Sequence, residues 1–213
     1  MSLVKLTENI SYLPASISPF SSDVVFIKTD KSTWIFDVGM GNPSYEEINK
    51  IQGRKNIVIS HFHPDHIMNL SRISYDNLYV SKYTKKHIFK GSIISEKTIF
   101  DESPKIQILP IPSSHSKGCL CLICEDFAFF GDATYAKEKI GNHTYNAQLL
   151  YEMIKTMEEI PAKYFCLSHD KKFVQQKKVV LTLYKGIYNR NKQNKIISVE
   201  DYFNSDGSVK QNA

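Results

Sequence analysis

Residues 60–66 read Ser-His-Phe-His-Pro-Asp-His, SHFHPDH, and follow directly on the run NIVI (Asn56–Ile59). Three histidines and an aspartate crowd into this stretch of a chain that has only seven histidines. The preceding NIVIS reads as a short apolar strand, the type buried on both faces of a layered fold. His61 and His63 stand two apart where that strand runs out. In extended backbone such side chains point the same way, so both imidazoles can reach one cation. Pro64 suits the first turn of a helix, which sets Asp65 and His66 beside the first pair but aimed differently. This geometry suits two adjacent metals better than one. A helix-borne His-Glu-x-x-His, with histidines four apart, is absent. Capping and loop duties account for one histidine at a strand end, not for four such residues together.

Two metals need further ligands, and three later places offer them in the same local setting. His115 lies just past the strand expected at Lys105–Ile111, which Pro110 and Pro112 should terminate. Asp132 follows the apolar stretch "FAFF", with Gly131 allowing close backbone approach. His169 follows the strand expected at Lys163–Ser168. Each is a polar ligand at the end of a buried strand, and that recurrence turns a motif into a site.

With these residues in order, the chain resembles the metallo-β-lactamase superfamily, whose signature is His-x-His-x-Asp-His followed by a His, an Asp and a His at strand ends. The match runs from about Trp34 to His169. "WIFDVG" (Trp34–Gly39) is similar to the family's early strand ending in Asp-x-Gly, which gives Asp37 a supporting role. The resemblance implies an α/β fold, a four-layer αββα sandwich with the site at one edge of the two sheets. It implies one metal on His61, His63 and His115, a second on Asp65, His66 and His169, and Asp132 bridging them. Ser168 stands where the family often has glycine, and Lys117 where proline is common; neither change removes a ligand. His63 replaces the glutamate of the diiron flavoprotein branch, which favours a hydrolytic zinc pair over redox iron. Manganese or iron are the other candidate metals. Class B β-lactamases lack the bridging aspartate, so β-lactam hydrolysis is not the expected activity.

The chemistry expected is hydrolysis of a small ester, thioester or lactone by a hydroxide bridging the two ions. Asp65 and Asp132 are the catalytic residues, Asp65 orienting the nucleophile and moving a proton. By formal charge count such a site stays about one charge positive, which favours an anionic or oxyanion-forming substrate. Only 44 residues follow His169, too few for the helical domain of glyoxalase II-like thioesterases. Phosphodiester cleavage on the same fold, and ligand binding without turnover, are the alternatives. Tyr135, His143 and Tyr145 follow a metal ligand and are candidates for substrate hydrogen bonds. Cys119, Cys121 and Cys124 in "CLCLIC" have no second Cys or His pair nearby and read as small buried hydrophobes, with Cys119 and Cys121 on one strand face and Cys124 on the other.

The rest of the chain frames this reading. Its 213 residues suit one domain, 1–213. Strands are expected at Val24–Lys28 and Thr33–Asp37 as a hairpin, near Asn77–Val80, over Cys119–Asp132 as a second hairpin, and at Lys195–Val199. Helices are expected over Asn42–Gln52, Lys82–Lys90, about His143–Ile160 and about Lys171–Tyr188. The net charge of +5 comes almost wholly from lysine, with Arg54, Arg72 and Arg190 the only arginines, so a nucleic-acid partner is disfavoured. The N-terminus has no apolar core of a signal peptide and no stretch approaches a membrane span, so a cytoplasmic protein with reduced cysteines is expected. An apolar, tyrosine-rich surface would suit a dimer.

Overall fold

A computed structural model describes residues 2–134, 144–170 and 172–198. In chain order the first half holds β1 (Val4–Lys5), β2 (Ile10–Leu13), the small hairpin β3 (Ser16–Ile17) and β4 (Phe20–Ser21), β5 (Val24–Lys28), β6 (Thr33–Phe36), α1 (Asn42–Lys50), β7 (Lys55–Val58), α2 (Pro64–Ile67) running on into a 3-10 turn, β8 (Asn77–Val80), α3 (Lys82–Ile88) and β9 (Ser92–Ile93). The second half holds β10 (Thr98–Phe100), β11 (Ile106–Ile111), β12 (Cys119–Cys124), β13 (Phe127–Phe129), β14 (Thr144–Asn146), α4 (Ala147–Glu159), β15 (Tyr164–Cys166), β16 (Val174–Gln176), α5 (Lys177–Asn191) and β17 (Ile196–Ser198).

Two mixed sheets result, ordered β1-β2-β5-β6-β7-β8-β9 and β10-β11-β12-β13-β15-β16. Period-two alternation gives each strand two faces with different partners. Trp34, Phe36 and Val58 of the first sheet meet Ile106, Leu122 and Phe129 of the second in the central core. Phe26, Ile35 and Ile57 face the other way, against Ile48 of α1. Cys119, Cys121, Ile123 and Phe165 pack under Leu150, Met153 and Met157 of α4 and Val180 and Ile187 of α5. The layers therefore run helix, sheet, sheet, helix, as the family resemblance implied. Cys124 joins the central core while Cys119 and Cys121 face the helices, the division expected of a strand.

Strand direction brings the site together. β6, β7 and β8 are parallel, so their carboxyl ends share one edge of the first sheet. β11 is antiparallel to β12, which is antiparallel to β13, and β13 is parallel to β15. The carboxyl ends of β11, β13 and β15 thus share one edge of the second sheet. In such layouts the loops beyond the strand ends collect functional groups.

Some expected elements shift for local reasons. The strand at Ile106–Ile111 runs through Pro110, opposite Leu120, because the pairing with β10 ends at Ile108 and leaves that side of the strand open. α4 begins at Ala147, where the Asn146 side chain accepts a hydrogen bond from the Leu149 N–H (3.1 Å) and caps the helix. The residues just before it, Thr144–Asn146, pair with Ile196–Ser198 instead of joining the helix. α5 begins only at Lys177, since Val174–Gln176 adds an edge strand beside β15.

Candidate metal centre

SHFHPDH leaves β7 and turns into α2 as the sequence suggests. His61 and His66 are fully buried, while His63 is partly exposed. His61 Nε2 lies 2.9 Å from His63 Nδ1, and His115 Nε2 lies 3.2 Å and 3.0 Å from these two atoms. Three imidazole nitrogens converge on one point. Tetrahedral zinc with Zn–N bonds of ~2.0–2.1 Å would hold its nitrogen ligands ~3.3 Å apart, close to this spacing.

A second cluster sits beside the first: Asp65, His66, Asp132 and His169 offer ligand atoms all within 4.8 Å of one another. His169 Nε2 is 2.9 Å and His66 Nε2 3.3 Å from Asp65 Oδ2. Asp132 faces both clusters. Its Oδ1 is 3.4 Å from His66 Nε2, and its Oδ2 is 3.5 Å from His115 Nε2. His66 Nε2 is fully buried between the Asp65 and Asp132 carboxylates, at 3.3 Å and 3.4 Å, a place where a cation would satisfy all three groups. The donor set and spacing of both clusters fit a pair of divalent ions.

The protein's own charges call for positive charge here. Burial works to raise the Asp65 carboxyl, but hydrogen bonds from His169 and His66 outweigh it and hold the group well below the usual carboxylate range. Burial disfavours the charged form of His66, yet the Asp37 and Asp132 carboxylates outweigh it and push its pKa well up. Burial, reinforced by the neighbouring His66, drives His61 well below the ordinary histidine value, so this ring stays neutral. Protons and metal ions compete for such sites, and a cation at the second cluster satisfies the same carboxylates that otherwise favour a proton.

Asp37 and Ser60 support the ligands. Asp37 Oδ1 accepts the Ser60 backbone N–H, and Oδ2 accepts the Ser60 hydroxyl and His66 Nδ1–H, each at 2.7 Å. The His66 bond leaves Nε2 as the lone-pair nitrogen facing the second cluster, the usual carboxylate–histidine support of a metal ligand. The Ser60 oxygen, having donated its proton to Asp37, can accept from His61 Nδ1 at 3.0 Å and so direct His61 Nε2 toward the first cluster. Asp37 is buried and holds a left-handed φ of 59°, a local strain its hydrogen bonds offset. Gly131 has to be glycine: a Cβ there would come within 2.6 Å of Ser60 Cβ, and its φ is +54°.

The last ligand is held separately. His169 has a φ of 61°. Asp23 Oδ2 accepts the His169 backbone N–H and the Ser168 hydroxyl, both at 3.0 Å, while Oδ1 accepts the Ala15 N–H at 3.0 Å. Phe20 of β4 stacks on the His169 ring, with centroids 4.8 Å apart and planes 3° from parallel.

Solved structures share this architecture. The chain is similar to ST1585 from Sulfolobus tokodaii, an archaeal metallo-β-lactamase superfamily protein, at 17% identity over 85% of this chain and 87% of that chain, with a TM-score of 0.65. The chain has the metallo-β-lactamase fold. VMB-1 matches at 16% identity over 90% of this chain and 97% of that chain, TM-score 0.67. The chemotaxis sensor ODP, solved as a peroxy diiron species, matches at 13% identity over 88% and 93%, TM-score 0.67. No family model matches the sequence, and no curated protein matches it.

Within this metallo-β-lactamase fold, the structure brings His61, His63, Asp65, His66, His115, Asp132 and His169 together, with Asp37 directly behind them. Tyr145 is corrected: it is 1% exposed, packed in the core under α5 and edge-on to Tyr184, with almost no surface to offer a substrate. Tyr135 and His143 lie outside the described residues. His87, which reads in sequence as an ordinary helix-surface residue, is exposed but stacks flat on Phe62 at 3.9 Å. Sequence reasoning missed Ser60, Asp23 and Ser168. Ser60 immediately precedes a ligand, and that adjacency was the one signal available. All four cysteines are buried and unpaired. No helix among the described residues is long and apolar enough to cross a membrane.

Proposed function

We propose that the chain is a binuclear metallohydrolase acting on a small carboxylic ester, thioester or lactone. The observation that carries this reading is Asp132, whose two oxygens face the two ligand clusters separately. In this reading His61, His63 and His115 would hold one zinc ion and Asp65, His66 and His169 the other, with Asp132 available to both. When bound, such ions lower the pKa of water toward ~7 and polarise the oxygen of an acyl group. The two carboxylates only half neutralise two divalent ions, so a substrate oxygen that gains negative charge is favoured. Asp65, its Oδ2 2.9 Å from His169 Nε2, stays ionised and orients the attacking water. As water adds to the acyl carbon and the C–O or C–S bond breaks, the water proton goes to solvent and the leaving group takes one back, Asp65 serving to orient the water.

The test pairs metal analysis by mass spectrometry with chromogenic ester, thioester, lactone and bis-phosphate substrates. Two zinc ions per chain and turnover of a carboxylic substrate are expected. Preference for the bis-phosphate would replace this reading with phosphodiester cleavage. Two bound ions with no turnover of any class would replace it with ligand binding. Iron in place of zinc would overturn the metal assignment.

A further inference from the structure

Beside the metal-ligand cluster, the hairpin β3–β4 roofs a cavity of about 340 Å³ whose wall includes His169. That volume is at the lower end of the ~300–1,000 Å³ typical of small-molecule sites. Carbon dominates its lining: Tyr12, Pro14, Ala15, Ile17, Phe20 and Phe173. Tyr12 stacks on Phe173 at 4.3 Å and fixes that side of the cavity, while Phe20 stacks on His169 and fixes the other. The polar side chains in the wall are already engaged. The Ser16 hydroxyl donates to the Pro19 carbonyl, and Asp23 accepts the three donors described above. Asp170 accepts from the Lys172 N–H and Gln175 Nε2. Two carboxylates in the wall also disfavour an anionic occupant. At the rim Ile17 is 92% exposed and Phe20 46%, apolar surface that gains by being covered.

We propose that this cavity holds an uncharged, apolar chain several carbons long, carried by the substrate next to the bond that is cleaved. The inference rests on the hydrolase reading for its chemistry and on the cavity for its specificity. His169 connects the two, because its Nε2 faces Asp65 while the residue lines the cavity. Short acyl groups would leave the cavity to water, and longer ones would fill it. Each methylene buried adds at most about fourfold to affinity or to kcat/KM.

The experiment uses the metal-loaded full chain. Calorimetric titration with butyrate, hexanoate and octanoate measures chain-length dependence without turnover, and p-nitrophenyl esters of the same acids measure it with turnover. Affinity is expected to rise about two- to fourfold per methylene in the native protein. Ala15→Phe, which fills the cavity, should flatten that rise beyond butyrate. Should Ala15→Phe fail to fold, Ile17→Asp at the exposed rim should weaken octanoate at least fivefold more than butyrate. A flat series in the native protein, or an equal rise in native and variant, overturns the proposal. Turnover with a flat series leaves the hydrolase reading standing and removes the pocket. A rising binding series with no turnover keeps the pocket and removes the hydrolase reading.

Discussion

Asp37→Asn tests the link between a supporting hydrogen bond and metal affinity most directly, because it is nearly isosteric and removes one acceptor. Asp37 currently accepts three donors: the Ser60 N–H and hydroxyl and His66 Nδ1–H, each at 2.7 Å. An asparagine has two placements. With its NH2 at the Oδ2 position it faces the Ser60 hydroxyl and His66 Nδ1–H, so His66 changes tautomer and turns an N–H toward the second cluster. With its NH2 at the Oδ1 position it faces the Ser60 backbone N–H, and two donors collide. Either placement buries one frustrated polar pair, costing about 1–3 kcal/mol. Through His66 that cost appears as metal affinity about 10–100-fold weaker, the range measured for lost supporting partners. The loss should fall chiefly on the ion at Asp65, His66 and His169, with His61, His63 and His115 affected less. Chelator competition at fixed pH, read with metal stoichiometry and a thermal melt, separates affinity from folding. Two ions bound within threefold of native affinity, together with an unchanged melt, would refute the reasoning that His66 Nδ1–H is held by Asp37 in order to free Nε2.

Other outcomes follow from the same geometry. Asp132→Ala should cut stoichiometry below two ions and activity by about two to four orders of magnitude together; full activity with unchanged metal content would contradict the bridging role. Ser60→Ala removes one hydroxyl that serves both Asp37 and His61, and should weaken metal binding about tenfold, measured by the same competition, with Ser60→Thr recovering part of it. Stripping metal with a chelator should lower Tm by about 8–16 °C, from ~4 kcal/mol of linkage at 1,000 times Kd and ~2–4 °C per kcal/mol at this size, read by calorimetry. Burial raises the thiols of Cys119 and Cys124 to about 12. At pH 8 they are about one part in ten thousand thiolate, so a disulfide reagent should leave the folded protein's thiols unmodified and titrate all four after denaturation.

The layers were legible from strand runs alternating with helices and from the family resemblance, and folding then sorts each element's faces. Val24–Lys28 and Thr33–Phe36 alternate between the central core and the α1 face, and Leu150, Met153, Ile154 and Met157 repeat at helical spacing under one face. What escaped were the short pairings. β14 and β16 have three residues each and directly precede helices, so in sequence they read as the helices' first turns. Their pairing partners, β17 and β15, decide the matter. A three-residue strand has no periodicity of its own to detect. The hairpin β3–β4, which shapes the cavity beside His169, was hidden in the same way.

The ligands were legible for a different reason from the residues that hold them. A metal ligand must be His, Asp, Glu or Cys, and in a chain with seven histidines the five at the site have few competitors. Ser60 and Asp23 are common residue types doing work that exists only after folding. Asp23 meets His169 across 146 positions of sequence, through a backbone N–H that any residue but proline supplies and one serine hydroxyl. Tyr145 shows the converse error. Nearness in sequence to Asp132 suggested a pocket residue, but β14 turns the ring inward to Tyr184. The sheet edge sorts these cases. Strand ends that run parallel deliver Asp37, His61, His115, Asp132 and His169 to one place, whereas Tyr145 sits within a strand, pairs with Ile197, and is held in the core. Placement at the site is therefore set by strand direction first and residue identity second, which is why a ligand motif read with its strand ends led to one cluster of converging side chains and proximity to Asp132 alone led to a core tyrosine.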